Sequence, residues 1–326
     1  MLYPLTFHPI FQERVWGGRK LEDLYEKRLP PNVPIGESWE ITDRPEAMSV
    51  IAHGPLAGHN LRWLMEHHRP ELLGAGKTWP ERFPLLVKIL DARDRLSLQV
   101  HPPAHKARQL RGEPKTEMWY ITQAAPGAEL LAGLKRGVTR SGFERKLRNG
   151  TVADCIHRLP VQAGDALFLP SGRVHGLGAG IVLFEIQQNS DTTYRVFDWN
   201  RPGRDGYPRP LHVAQSLECI DFNDVEPQLI ACQIADKKEG PRVQPLVSDP
   251  VFQVKEFSAP AGGGVEFPGQ EMSVVGVVAG PMILCSMKTE LRLQAGQFCL
   301  VPACLGAWRV QAPTAVRFLL ATTGQC

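Results

Sequence analysis

No run of like charge interrupts this sequence: 37 Lys and Arg stand against 34 Asp and Glu in 326 residues, a formal net charge of +3. That balance offers no electrostatic footprint for nucleic acid or another polyanionic partner. No CxxC pair occurs among the seven cysteines (155, 219, 232, 285, 299, 304 and 326), and the odd count leaves one over. A disulfide framework and a thiolate zinc knot are disfavoured, and a reducing, cytoplasmic setting is expected. The opening MLYPLTFHPIFQERVWGG lacks the basic-then-apolar pattern of a signal peptide. No apolar run exceeds strand length, so no membrane span is expected. Regular β/α alternation is missing as well, which argues against a TIM barrel or a Rossmann sheet. What remains, with 43% hydrophobic and 22% charged residues, is a soluble globular chain of about two domains.

Gly and Pro, 30 and 28 in number, punctuate short apolar runs: FPLLVKIL (83–90), SLQV (97–100), MWYIT (118–122), ALFLP (166–170) and IVLFEIQ (181–187). Runs of that length between turn residues predict strands. Helical patterning is confined to Asn60–Leu73, which Pro70 is expected to split, and to Ser141–Leu147. There Ser141 is read as N-cap, with Glu144 three residues on completing a capping box.

An internal echo adds architecture. Gly164-Asp-Ala-Leu-Phe-Leu-Pro170 returns as Gly296-Gln-Phe-Cys-Leu-Val-Pro302, offset by 132, each a turn, a strand and a proline that ends the pairing. His175 in the first copy corresponds to Ala307 in the second. Two similar β-domains are expected, residues 1–235 and 236–326, with polar chemistry kept in the first and 236–250 as linker.

Gln99 and His101 alternate on one strand and so share a face, Glu117 opens the strand EMWYIT, and His175 follows the Gly164–Pro170 strand. Two histidines and a carboxylate, expected from three adjacent strands, fit a catalytic zinc site with an open position. They equally fit the facial triad of non-haem iron. His67, His68 and His105 are read as ordinary surface or core residues. The dense polar run from Glu185 to Trp199 contains Arg195, whose fork suits a phosphate or a surface ion pair with Asp191 or Asp198. Lys88 inside LLVKIL is costly to bury unpaired, so it faces a polar cavity or snorkels at its rim. Lys115, two residues before Glu117, shares its face.

Gly164-x5-Pro170-x-Gly172-x2-His175 resembles the second cupin motif, and Gln99-x-His101 with Glu117 resembles the first, opened by an insert. More narrowly, GESWEIT (36–42), LQVHP (98–102), KTEMWYI (115–121), FLPSGRVHGLGAG (168–180) and QQNSDTTYRVFDW (187–199) resemble the short bacterial type I mannose-6-phosphate isomerases. The resemblance runs through RPLHVAQSLECI (209–220) and covers about two thirds of the chain. It implies an all-β fold of two jelly-roll (cupin) domains with a small helical insert in the first. It also implies one Zn2+ per chain on His101, Glu117 and His175, with Gln99 as a fourth ligand. Arg195 is the implied active-site arginine, and Glu185 falls where the family places a carboxylate. Two departures from the longer members stand out. Glu113-Pro114-Lys115-Thr116-Glu117 lacks their histidine before the zinc glutamate, and Asp198-Trp199-Asn200 replaces their Thr-Pro-Lys. The short members share both differences.

The implied reaction interconverts mannose 6-phosphate and fructose 6-phosphate through an enediol, with a proton moving between C2 and C1. Such chemistry needs a Lewis acid for the developing oxyanion and a base matched to the working pH. Lys115 is the candidate base, because a nearby metal charge and partial burial would both lower a lysine's pKa toward the working pH; Glu185 competes with it. Arg195, with Lys88, would hold the phosphate or polarise a sugar oxygen, and Arg201 is a further cation in reach. An isomerase of unphosphorylated aldoses, an Fe(II) dioxygenase and a non-catalytic sugar-binding cupin are the other readings. Oligomeric state is left open.

Overall fold

Each of the five apolar runs is a strand in the computed structural model, which describes residues 2–75, 79–203, 205–230, 240–287 and 289–324. The front of the chain carries β1 (Ile10–Gly18), α1 (Lys20–Tyr25), β2 (Ile35–Ile41), the two-residue pair β3 (Asp43–Arg44) and β4 (Ala47–Met48), α2 (Leu61–His67) and α3 (Arg69–Leu73). As expected, the α2–α3 stretch breaks before Pro70, which sits in the first turn of α3, where its missing N–H and fixed φ cost nothing. Asn60 caps α2, accepting from the Trp63 amide at 2.8 Å.

Eight strands follow: β5 (Leu85–Ala92), β6 (Leu98–Val100), β7 (Glu117–Ala124), β8 (Glu129–Leu134), β9 (Ile156–Pro160), β10 (Ala166–Leu169), β11 (His175–Leu177) and β12 (Ile181–Gln188). Helix α4 (Ala104–Ala107) precedes β7 and α5 (Arg140–Arg148) precedes β9; β13 (Tyr194–Phe197) and α6 (Val213–Cys219) come after β12. The later part holds β14 (Arg242–Ser248), β15 (Phe252–Ala259), β16 (Gly264–Phe267), β17 (Ser273–Ala279), β18 (Met282–Ser286), β19 (Glu290–Leu293), β20 (Phe298–Val301), β21 (Trp308–Gln311) and β22 (Val316–Thr323).

The fold is all-β with a few helices, and its strand order repeats. One pair of sheets runs β1-β2-β5-β12-β7-β10 and β13-β6-β11-β8-β9; the other runs β14-β15-β22-β17-β20 and β16-β21-β18-β19. Strands β5 to β12 thus recur one for one as β15 to β22. The Gly–strand–Pro echo occupies β10 and β20, the matching edge strands. Gly164 and Gly296 both take positive φ, 98° and 75°, and donate equivalent hydrogen bonds, to the Ile121 and Val277 carbonyls at 2.8 Å. Only glycine enters such a turn without strain. One apolar cluster joins the two halves, with Phe184 and Ile186 packing in the same core as Phe252, Phe298 and Leu319.

Three local expectations are corrected. The cap of α5 is Thr139, whose side chain accepts from the Gly142 amide at 3.2 Å; Ser141 lies inside the first turn, and Glu144 pairs with Arg140 instead. The supposed linker 236–250 contains β14, paired antiparallel to β15. As an edge strand it tolerates Pro245, next to which the register shifts. The proposed boundary at 235/236, like Cys232 and Cys326, lies outside the described residues. The five described cysteines are unpaired. Among the described residues, no helix is long and apolar enough to cross a membrane.

Candidate active site

Strand alternation decides what enters the first sandwich. On β5, Val87 and Ile89 face the cluster shared with the later half, so Lys88 and Leu90 face the opposite way, into the space between the sheets. Register then aligns Trp39 with Lys88, Lys88 with Glu185, and Glu185 with Trp119 across β2, β5, β12 and β7. Toward one end this inner face is apolar, with Leu90, Leu183, Ile121 and Leu130 in one cluster. Toward the other it opens into a polar cavity of about 860 Å³, lined by Arg14, Glu37, Lys88, Gln99, Lys115, Glu185, Arg195 and Arg209, among others.

Next to Gln99 and Lys115 of its wall, His101, Glu117 and His175 come together, all buried, with ligand atoms within 4.8 Å of one another. Glu117 opens β7 in one sheet, whereas His175 opens β11 and His101 follows β6 in the facing sheet. The trio is therefore closed across the sandwich, not drawn from three adjacent strands, because the two sheets converge at this end. Gln99 is the register partner of His175, its Nε2 3.3 Å from His175 Nε2. Gly172, at φ 95°, ties the loop before β11 to this place by donating to the His101 carbonyl at 2.9 Å.

The trio fits a metal ion. His101 Nδ1 and His175 Nδ1 lie 2.9 Å from the carbonyls of Thr192 and Arg173. A carbonyl only accepts, so each Nδ1 carries the hydrogen and each Nε2 offers a lone pair inward. His175 Nε2 then faces Glu117 Oε1 at 3.1 Å and His101 Nε2 faces Oε2 at 3.4 Å, acceptor against acceptor in a buried site, a costly arrangement unless a cation completes it. Burial, then Lys115, push His101 down to about 3, so its imidazole is neutral near pH 7. Glu117 is held well below its ordinary value: burial opposes ionisation, but the Lys115 ammonium outweighs it. His175 also packs edge-on against Trp119, ring centroids 5.3 Å apart. His67 and His105 lie at the exposed surface and His68 is half-buried, all as expected away from this site.

Lys115 reaches Glu117 Oε2 at 3.0 Å, as their shared face predicted. Lys88 faces the cavity, 3.3 Å from Glu185 and 3.5 Å from Glu37. Burial alone would discharge it, yet the Glu37 and Glu185 carboxylates raise its pKa. Glu185 is committed on both oxygens, Oε1 accepting from Trp119 Nε1 at 2.8 Å and Oε2 facing Lys88. Arg195 sits on β13 beside Gln99 and donates from Nη1 to the Pro210 carbonyl at 2.8 Å. Its Nε has no partner. Of the alternative ion pairs with Asp191 or Asp198, the second does not form: Asp198 is taken by Arg209 at 2.7 Å and Arg201 at 3.0 Å.

Glu37, Trp39, Arg14 and Arg209 were not picked out as site residues from the sequence. Glu37 sits inside GESWEIT, where a carboxylate within an apolar strand carries the same signal that marked Lys88. Arg14 and Arg209 carry no local signal. Burial alone would raise the Glu37 carboxyl, but Lys88, Arg14 and the Trp39 Nε1–H bring it down to about 2. The folded protein then binds fewer protons than the unfolded chain between pH 4.5 and about 2. Its contribution is complete above pH 4.5 and lost as pH falls through the folded value near 2. That difference is worth roughly 3 kcal/mol. Glu37→Gln is expected to lower Tm at pH 7 and to flatten the acid decline of Tm; melts of both proteins from pH 7 downward check it, and parallel curves would refute an ionised Glu37.

Comparison with known proteins decides the family. A model of the phosphomannose isomerase type I catalytic domain matches residues 5–118. The probable mannose-6-phosphate isomerase GmuF of Bacillus subtilis is 33% identical over 316 residues, covering 95% of this chain and 97% of that protein. The chain belongs to the type I mannose-6-phosphate isomerase family. A mannose-6-phosphate isomerase of Streptococcus mutans is likewise 33% identical, covering 95% of each chain. The crystal structure of the Bacillus subtilis mannose 6-phosphate isomerase superposes with a TM-score of 0.88 at 28% identity, over 98% of this chain and 99% of that one. A mannose 6-phosphate isomerase solved with zinc and yttrium shares the fold, TM-score 0.75 at 16% identity, over 99% of this chain and 100% of that one.

Proposed function

We propose that this protein is a zinc-dependent isomerase interconverting mannose 6-phosphate and fructose 6-phosphate through an enediol. The observation that carries the reading is the buried His101–Glu117–His175 trio, its ligand atoms within 4.8 Å of one another, next to Gln99 and Lys115 of a cavity lined by several cations. These three residues would hold the ion, with Gln99 the fourth ligand once its amide presents oxygen. Amide orientation follows the partner it meets. A bound zinc ion would supply Lewis acidity toward the charge developing on the sugar oxygens. Lys115, between Glu117 and the cavity, would carry the proton between C2 and C1. Glu185 is the weaker candidate, since both its oxygens are engaged. Arg195, which lines the cavity, would clamp the phosphate, and Lys88 would donate to a sugar or phosphate oxygen.

The repeated strand order supports two jelly-roll domains, the catalytic one within residues 1–235 and a degenerate one within 236–326. Unpaired cysteines go with a cytoplasmic setting. The deciding experiment is a coupled assay with mannose 6-phosphate and free mannose, before and after chelation, then after adding back zinc or iron. Turnover of the phosphate ester is expected to vanish on chelation and return with zinc. Turnover of mannose alone would overturn the phosphate assignment, and iron-dependent oxygen uptake would replace the isomerase with a dioxygenase.

A further inference from the structure

Glu37 is buried on the cavity wall and meets three side chains, although nothing in the proposed reaction uses it. Its Oε1 accepts from Arg14 Nε at 2.7 Å. Its Oε2 accepts from Trp39 Nε1 at 2.6 Å and stands 3.5 Å from Lys88 Nζ. Lys88 continues the row to Glu185 at 3.3 Å and lies 4.9 Å over the Trp39 ring. Arg14, Glu37, Lys88 and Glu185 all line the one cavity, and strand register sets Lys88 between Trp39 and Glu185.

We propose that Glu37 is a positioning residue for substrate: it holds the Lys88 ammonium and the Arg14 guanidinium as a fixed pair of donors, aimed into the cavity where the sugar phosphate binds. The proposal rests on the isomerase reading and adds a residue that acts through its neighbours. Lysine and arginine carry long, rotamer-rich stems, and ordering them at the moment of binding subtracts from affinity. A carboxylate gripping both in advance removes that cost, and the Trp39 indole N–H and ring fix the carboxylate and the lysine stem in turn. Around Lys88 the charged groups are Glu37 from β2, Glu185 from β12, Asp191 beyond it and Glu117 from β7. Without Glu37, Lys88 keeps Glu185 as its near partner against full burial, and Arg14 loses its anchor.

The test uses the full-length, zinc-loaded protein and its Glu37→Gln, Glu37→Asp, Lys88→Met and doubly substituted Glu37→Gln/Lys88→Met variants. Steady-state kinetics on mannose 6-phosphate are recorded across pH, with bound zinc counted. In Glu37→Gln, KM is expected to rise about tenfold or more with kcat nearly kept, the pattern of lost substrate binding. Zinc content stays unchanged, and the alkaline limb of kcat/KM moves to lower pH as Lys88 loses a partner. Glu37→Asp recovers part of the KM, and the double variant is little worse than Lys88→Met. A fall in kcat at constant KM, a loss of zinc, or additive effects in the double variant would overturn the proposal. Should Glu37→Gln fail to fold, Glu37→Asp carries the same KM and pH readouts. Wild-type protein inactive on mannose 6-phosphate would overturn the isomerase reading and this proposal together; an active wild type with an unchanged Glu37→Gln would overturn this one alone.

Discussion

His175→Ala is expected to lose bound metal and isomerase turnover together while the sheets stay folded. His175 is 1% exposed, and its imidazole offers one of three inward ligand atoms. Without it, His101 and Glu117 must hold the ion with only Gln99 in support, too few for a closed or catalytic zinc site. Lewis-acid stabilisation is worth several kcal/mol, and about 4 kcal/mol corresponds to a thousandfold in rate. Activity should therefore fall by at least about three orders of magnitude. The fold survives because the backbone of β11 keeps its pairing with β6 and β8. The lost ring leaves a gap beside Trp119, at a stability cost of about 1–2 kcal/mol. Metal analysis, the coupled assay and circular dichroism on the same preparation check all three. Turnover persisting in metal-free His175→Ala would remove the metal from the mechanism.

Strand positions were legible because this fold is written in short apolar runs bounded by Gly and Pro, and each such run lies in a buried strand. The repeat was legible from Gly164 and Gly296 because a positive φ before an edge strand demands glycine in both copies. Structure adds what the repeat lost: Glu117, opposite Leu169, has Ser273 opposite Val301 as its counterpart, just as His175 has Ala307. That His101, Glu117 and His175 could come together was legible from residue type and alternation. Which sheet each ligand came from was not, since facing sheets are joined by packing at long range, which no local pattern encodes. The same holds for Arg14 and Arg209, which reach the cavity from distant segments. The cap of α5 was misread because Ser141 and Glu144 satisfy a capping box on paper, while Thr139 takes the extended backbone that a cap requires. A strand hid in 242–248 because its exposed edge position tolerates the charge and proline that elsewhere mark a linker.

Lys115→Met is expected to lower kcat on mannose 6-phosphate by about 10²–10⁴, the usual worth of a positioned acid–base group, with KM changed little and zinc retained. Geometry favours Lys115 over Glu185 for this role. Lys115 Nζ reaches Glu117 Oε2 at 3.0 Å while lining the cavity, so in the proposed reaction it would stand between the metal site and the bound sugar. Glu185 has one oxygen on Trp119 Nε1 and the other facing Lys88, so both are already engaged. Glu185→Gln should accordingly act mainly through Lys88, raising KM and lowering Tm, with a smaller loss of kcat. Lys115→Arg separates base from counter-ion: it preserves a cation near Glu117 but cannot release a proton at working pH. If Lys115 transfers the proton, Lys115→Arg is as slow as Lys115→Met. If it only neutralises Glu117, Lys115→Arg restores kcat, and proton transfer moves to Glu185.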